Sequence, residues 1–569
     1  MHIDAVPNRT SRPTYLLRES YREGKQVRKR TLANLSALSD EQIAAIRAVL
    51  SGVAVRPVEE LFETVRSRLH GHVQAVRVAM QRLDFERLIA SRGSVERDLV
   101  CAMVAARILS PHSKLGTTRW WHTTTVPEEF GVEAADEDDL YRAMDWLLER
   151  QGRIEQKLAA RHLEQGALAL YDLSSSYFEG QCCPLAKIGH DRDGKKNKLQ
   201  VNYGLLTTRG GCPVAVSVYE GNTNDAKTLL PQITQLREEF QLERLVLVGD
   251  RGMISHKAIG EDLQQVEGLC WITALKSGQI RTLIEGGALQ LGLFDERSLF
   301  ELSDPHYPRE RLIACRNPEL AQLRAHKRQQ LLQATEKELQ KVRSSVAGGR
   351  LAGKAKIGVR VGRVVNKYKV AKHFELTIEE NRFDFSIRQE QVNAEAALDG
   401  IYVIRTNVPE PQMSAPDTVR NYKALADVER AFRSLKTVDL KIRPIHHRLE
   451  ERVRAHIFLC MLAYYVEWHM REAWRELMFA DEDTAAKAQR DPVAPAQRSD
   501  KALQKIAQRT LADGTPVHSF STLLAELATI VRNTCVTRAA RTASHPFQMV
   551  TTPTAPQRRA LELLQAITL

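Results

Sequence analysis

Three rhythms of apolar and polar positions follow one another along this chain, and each change of rhythm marks a boundary. Over residues 58–160 apolar residues recur three and four apart, as in VERDLVCAMVAARILS and LYRAMDWLLERQGRIEQKLAARHL, which predicts core-facing helices, one of them stopped by Pro111. Ahead of them, YLLRESYREGKQVRKRTLANLS holds two semi-apolar runs around REGK. It predicts a hairpin turning near Gly24, with Arg18, Arg22, Lys25, Arg28, Lys29 and Arg30 on its arms. From 164 to 278 the runs shorten to strand length: GALALYDLS, LQVNYGLLTT and CPVAVSVYEG, then an amphipathic helix DAKTLLPQITQLREEF with Asp225 as N-cap, then LERLVLVGDRG and GLCWITALK.

Two of those apolar runs end in a single acid, Asp172 in the first and Asp250 in the fifth. An unpaired buried charge is costly, so each acid needs a partner, and a salt bridge or a helix N-cap is the ordinary one. The other reading is that the two face one another and share a cation. The order strand, strand, strand, helix, strand favours it. That order opens a ribonuclease-H-like fold, in which the first and fourth strands lie side by side and would bring Asp172 and Asp250 to one sheet edge.

Between about 279 and 400 the pattern breaks. PELAQLRAHKRQQLLQATEKELQKVRSSV predicts a long helix or helical hairpin starting at Pro318. Residues 342–374 then carry nine Lys or Arg and no acid. A solvated linker is one reading of such a run. VRVGRVV and KYKVAKHFEL alternate like strands, however, and a basic strand pair bearing Arg360, Arg363, Lys367 and Lys369 would suit DNA backbone contact. DGIYVIRTNV returns to strand pattern, and the helical PDTVRNYKALADVERAFRSLK supplies Glu429. Two strand carboxylates and one helix carboxylate would hold two divalent cations ~4 Å apart, the arrangement that phosphoryl transfer uses; oxygen ligands suit magnesium.

Composition narrows the choice. Lys and Arg number 82 against 70 Asp and Glu in 569 residues, a net charge of +12 that points toward a polyanion. No apolar stretch approaches a bilayer span, and the N-terminus lacks the apolar core of a signal peptide, so a cytoplasmic location is expected. Eight cysteines with no regular spacing read as ordinary thiols, including the adjacent Cys182 and Cys183.

Within YKALADVERAFRSLK, Tyr422, Glu429 and Lys436 stand at the spacing Tyr, two residues, Arg, three residues, Glu, six residues, Lys. The chain thereby resembles the bacterial cut-and-paste DDE transposases of insertion sequences, in the branch whose ribonuclease-H-like core carries a long insertion. YDLSSSYFEG, GHDRDGKKNKLQVNYGLL, YEGNTNDAKTL, LVGDRGM and DGIYVIRTN look like that family's blocks, in its order, over residues 160–470, and SYREGKQVRKRTLANLS looks like its opening. The resemblance implies Asp172, Asp250 and Glu429 as catalytic metal ligands for two Mg2+ ions, with Mn2+ able to substitute. It also implies a homodimer on DNA, acting on terminal repeats and target in the nucleoid of a bacterium. Tyr422 and Lys436 are its DNA contacts, each with core packing or solvation as the alternative.

One position departs. Leu425 stands where the signature has Arg; Arg433, one turn beyond Glu429, is the candidate substitute, or else forms an i, i+4 salt bridge with Glu429. His446 and His447 point apart if helical and read as packing or phosphate contacts, and DRDGKKN at 191–197 reads as a turn rather than a calcium loop. The expected fold class is α/β: a ribonuclease-H-like catalytic core interrupted by a mixed β/α insertion, with helical N-terminal and C-terminal regions. The expected division is 1–57 basic hairpin region, 58–160 helical, 161–278 core, 279–398 insertion, 399–480 core, and 481–569 C-terminal helical after a polar linker. The alternatives to a transposase are a DNA-binding remnant or repressor of the same fold, and a nuclease that cleaves without joining.

Overall fold

In the computed structural model, which describes residues 1–568 apart from 10, 54–61, 196, 484–489, 495–497 and 538–545, the chain divides into two units. The expected boundary at 57 and parts of the polar linker lie outside the described residues.

The first unit is Met1–Arg68 with Ile530–Thr552. β1 (His2–Val6), β2 (Thr14–Glu23) and β3 (Gln26–Asn34) form an antiparallel sheet; the β2–β3 turn uses Gly24 at φ 63°, a conformation that costs glycine nothing. Much of the hairpin's basic charge is paired. Asp4 takes both Arg18 (3.0 Å) and Lys29 (2.9 Å), while Glu23 takes Arg28 (2.8 Å). β4 (Phe62–Leu69) belongs to a second sheet of this unit.

The second unit, Leu69–Thr529 with Pro553–Leu569, opens with the helices that the three-and-four spacing predicts, among them Val95–Leu109, Glu137–Leu148 and Gln151–His162. A long helix, Glu450–Ala473, packs on the first two and is buried nearly all round, as its even apolar distribution requires. Then comes an eight-stranded sheet built from β5 (Leu168–Tyr177), β6 (Gln200–Thr208), β7 (Pro213–Glu220), β8 (Leu245–Val248), β9 (Leu269–Ala274), β10 (Leu299–Leu302), β11 (Arg311–Arg316) and β14 (Ile401–Thr406), in the order β10-β11-β14-β9-β8-β5-β6-β7. β5 pairs with β8 in parallel, with Leu170 opposite Val248. Two residues further along that register stand Asp172 and Asp250. Close approach shapes the neighbouring strand: Gly204 of β6 faces the Tyr171 hydroxyl, where a Cβ would sit 2.2 Å from the oxygen.

The insertion differs from its reading. Asn317 caps the helix Pro318–Ala347, its side chain accepting from the Leu320 N–H at 2.9 Å, as the Pro318 start implies. The following basic run is not a strand pair; Lys354–Tyr368 is a helix. Ile357, Val361, Val364 and Val365 fall on one face and bury against Leu339, Val342 and Val346, while Val359 on the other face is exposed. Alternating valines imitate a strand, but the apolar partner offered by the long helix decides the outcome. Lys369 ends this helix at φ 55°, and only then does a hairpin follow, β12 (Phe374–Ile378) and β13 (Phe383–Ile387).

Two further corrections concern local structure. Asn224, not Asp225, caps the segment after β7, which winds through a 3-10 turn, a short α-helix and a wide π-turn. The C-terminal region is not all helical: after the helix Phe520–Ala528 come β15 (Val531–Thr537) and β16 (Phe547–Val550), which join β4, before the helix Ala555–Gln565.

Candidate active site

Each acid is held by a different local device. Asp172 sits on β5, half-buried, its Oδ1 accepting from the Leu173 N–H at 2.8 Å. Asp250 lies two residues past β8, exposed, its Oδ1 accepting from the N–H groups of Gly252 (2.7 Å) and Met253 (2.9 Å). Glu429 projects from the helix Leu425–Arg433, which buries Val428, Ala431 and Phe432 and packs on β5, with the Phe432 ring 5.8 Å from that of Tyr203. The amphipathic spacing that buries one face of this helix leaves Glu429 exposed on the other.

The three carboxylates act on one another. Burial raises the Asp172 carboxyl to about 7, and the charges of Asp250 and Glu429 push the same way; the Leu173 N–H and Arg192 oppose them. Tyr422, half-buried, is pushed up to about 12 by burial and then by the nearby Asp250, Glu429 and Asp172, although Arg251 pulls it down. No basic side chain forms an ion pair with any of the three acids among the described residues. Clustered carboxylates without a counter-cation fit hard divalent ions. Elsewhere, His162, Cys212 and His469 bring three potential ligand atoms within 4.8 Å of one another.

The other residues singled out from sequence divide. The helix Ala415–Lys423 stops at a turn, and the helix carrying Glu429 gives way to a π-turn over Ser434–Val438, so residues 425 to 436 do not share one face. Leu425 is half-buried in the first turn, and Arg433 is exposed without an ion pair to Glu429. Lys436, 8% exposed, donates to Asp193 at 3.0 Å. The insertion's Arg360, Arg363 and Lys367 are exposed and line a groove of about 180 Å³ with Glu338 and Lys341, while Lys369 is exposed at the helix end.

Sequence reasoning missed a cluster beside the triad. In the DRDGKKN turn, Asp193 is nearly sealed from solvent and takes both Lys436 and Arg443, besides accepting from the Tyr177 N–H at 3.1 Å. Arg192 pairs with Asp225 at 2.5 Å. The run of alternating acids and bases was visible, but Lys436 lies 243 positions from Asp193 and Arg443 farther still, beyond the reach of any local pattern. His446 and His447 lie in a loop ahead of the helix Glu450–Ala473, not on a helix.

Comparison with known proteins gives two family matches. Residues 186–466 match the family model described as Transposase DDE domain, and residues 3–59 match that of the IS1634 family transposase, N-terminal domain. No curated protein matches the chain. Among solved structures, the cryo-EM structure of a piggyBac transposase synaptic complex with hairpin DNA aligns over 80% of this chain and 76% of that one. Its 9% identity and TM-score of 0.34 are too slight a likeness to carry argument.

Proposed function

The chain is an insertion-sequence DDE transposase, and we propose that Asp172, Asp250 and Glu429 are its catalytic carboxylates, holding two Mg2+ ions that Mn2+ can replace. The observation that carries this reading is the register of β5 against β8, which supports two acids at one strand end, together with a helix acid that shares their field. The strand order β7-β6-β5-β8-β9, with β6 antiparallel to β5 and with β8 and β9 parallel to it, supports a ribonuclease-H-like core interrupted by residues 279–398.

The bound cations would activate the attacking oxygen and neutralise the leaving one. The chain's own residues supply the rest. Asp172 and Asp250 come from a rigid sheet edge, and the Gly252 and Met253 N–H groups fix the Asp250 carboxylate in one orientation. Tyr422, Arg433 and Lys436 line the approach of the DNA strand; Lys436 reaches a phosphate only by exchanging Asp193 for it. Arg360, Arg363, Lys367 and Lys369 would contact the duplex backbone from the insertion, and residues 1–57 would add a second contact. Cleavage and joining of two element ends in the bacterial nucleoid would call for a homodimer. Among the described residues no helix is long and apolar enough to cross a membrane.

The test incubates the protein with DNA carrying the element's own ends, target DNA and Mg2+. Cleavage to a 3' hydroxyl followed by joining is expected, and a chelator should stop both without unfolding the chain. Asp172→Asn, Asp250→Asn and Glu429→Gln should each slow cleavage at least a hundredfold, ~2.7 kcal/mol in transition-state stabilisation, while end binding is kept. A variant that cuts at the native rate removes that residue from the site. Cleavage without joining would identify a nuclease, and binding without cleavage a repressor or remnant.

A further inference from the structure

A cavity of about 720 Å³ lies in the second unit between the end of the helix Val95–Leu109, the start of the helix Lys114–Trp120, the loop 441–449 and the first turns of the helix Glu450–Ala473. Among the described residues, six that line it are Arg or Lys, four are His, and none is Asp or Glu. Such a wall is expensive to assemble without an anion to face it.

The pocket floor makes this specific. Lys114 is 4% exposed and, among the described residues, its ammonium has neither an ion pair nor a hydrogen-bond acceptor. Arg107, 8% exposed, meets among the described residues only the carbonyls of Leu440 (3.4 Å) and His112 (3.3 Å). At the rim, Lys441 and Arg448 are exposed and likewise without a carboxylate. Two further lining cations are already paired, Arg452 with Asp145 at 3.6 Å and Arg443 with Asp193. Burial and the Arg107 charge push the Lys114 ammonium down to about 7, and burial together with the Arg107 and Lys114 charges pushes His447 and His456 down, so an anion here would meet groups that it helps to charge. Tyr141, stacked under Arg452 at 4.5 Å and edge-on to His447, adds an aromatic wall.

We propose that this pocket binds a phosphate monoester carried on a nucleotide. Arg107, Lys441 and Arg448, joined by Lys114 once a facing anion restores its charge, lack carboxylate partners among the described residues and match a monoester, which carries about −1.5 to −2 at neutral pH, better than one internal diester with its single charge. The volume exceeds what a lone phosphate fills and leaves the Tyr141 and His447 rings free to meet a sugar or base. The chemistry of the proposed reaction points to the source: hydrolysis that leaves a 3' hydroxyl leaves a 5' phosphate on the other side of the cut. Arg443 joins the two places, since it lines the pocket and shares Asp193 with Lys436. The identity of that source rests on the transposase reading; the ligand chemistry does not.

The experiment titrates the purified full chain with deoxyadenosine 5'-monophosphate and with deoxyadenosine by calorimetry, with no other DNA present. The monophosphate should bind at least tenfold more tightly. Lys441→Ala combined with Arg448→Ala, both at the exposed rim, should cut monophosphate affinity at least tenfold and leave the melting temperature unchanged. Lys114→Met removes the floor charge without removing the stem and should have the same effect. Equal binding of nucleotide and nucleoside, or native affinity in the rim variant, overturns the proposal whether or not the protein cleaves DNA. Monophosphate binding in a protein that fails to cleave keeps the pocket and discards the catalytic reading of the three acids. A 5'-phosphorylated oligonucleotide should displace the monophosphate where its 5'-hydroxyl counterpart does not; failure to displace overturns the DNA end as the source.

Discussion

Leu425 and Arg433 bracket Glu429 by one turn each, and they should fail in opposite ways. Arg433 is exposed and unpaired with Glu429, so Arg433→Ala should leave melting nearly unchanged. If its guanidinium holds a DNA phosphate, the same variant should slow cleavage more than tenfold, ~1.4 kcal/mol or more. Leu425 is half-buried, so Leu425→Ala should cost about 1 to 2 kcal/mol of stability, less than the ~2 to 5 of a sealed leucine, and leave cleavage by the folded fraction intact. Thermal melting and metal-dependent cleavage on both variants decide it; normal cleavage by Arg433→Ala leaves the signature's missing arginine without a substitute on this helix. Glu155 offers a second test. It is buried in the helix Gln151–His162 and accepts from the Val216 N–H (3.0 Å), Gln151 (2.9 Å) and Gln235 (2.9 Å), with no ion pair among the described residues. Burial pushes its carboxyl from the usual 4.5 to about 7. The folded pKa lies above the unfolded one, so its contribution is full below about 4.5 and is lost as pH rises to about 7. Glu155→Gln should therefore melt with the native chain at pH ~4 and above it at pH ~8; coincident melting at both ends would place the charge elsewhere. The placement of Asp172 and Asp250 at one end of neighbouring strands was legible from sequence because each closes an apolar run, a local signal. Asp193 and Lys114 were not, because their meaning depends on partners or on missing partners from remote parts of the chain.

The helix Lys354–Tyr368 shows where local pattern stops deciding an element. Its valines read equally well at period two and at helical spacing, and only the apolar stripe of Leu339, Val342 and Val346 selects the helix. Longer signals survived translation to structure: β5, β8, β9 and β14 form where apolar runs predict strands, and Pro318 starts its helix. The π-turn at Ser434–Val438 had no signal in the spacing, and it is what takes Lys436 off the exposed face of Glu429. The exposure that DNA contact would require is kept although the element is a helix and not a strand pair. A helix that buries Ile357, Val361, Val364 and Val365 presents Arg360, Arg363 and Lys367 to solvent, with Lys369 just past its end. Replacing these four by Ala should weaken DNA binding across sequences and flatten its salt dependence by up to ~0.9 log unit per lost phosphate contact, without a change in folding. An unchanged slope would make the run a solvated face.

At the scale of the whole molecule, the chain's course sets which pieces can be removed. It leaves the second unit at Thr529, contributes β15 and β16 to the first unit, and returns at Pro553 to lay the helix Ala555–Gln565 back into the second. That last helix is structural. The buried Trp474 indole donates to the Ala560 carbonyl at 2.8 Å, Arg82 donates to the Ile567 carbonyl at 3.1 Å, Gln557 donates to Thr529 at 2.8 Å, and Ala560 and Leu564 are sealed from solvent. Removing residues 1–68 takes strands from the first unit alone, and the second should still melt as a cooperative unit near its native temperature. Truncation after Thr529 also takes the returning helix. It forfeits the burial of Leu564 and Ile567, ~1.5 to 3 kcal/mol each, and leaves the Trp474 N–H unpaired at a further ~1 to 3 kcal/mol. A loss on the order of 4 to 9 kcal/mol is comparable with the whole stability of an ordinary domain, ~5 to 15 kcal/mol, so this truncated chain should unfold far below the native temperature or fail to fold. Adding the helix back as a separate peptide of residues 553–568 should restore part of the lost melting temperature in proportion to its concentration. Equal melting of the two truncated chains would mean that the helix contributes no stability despite its buried contacts.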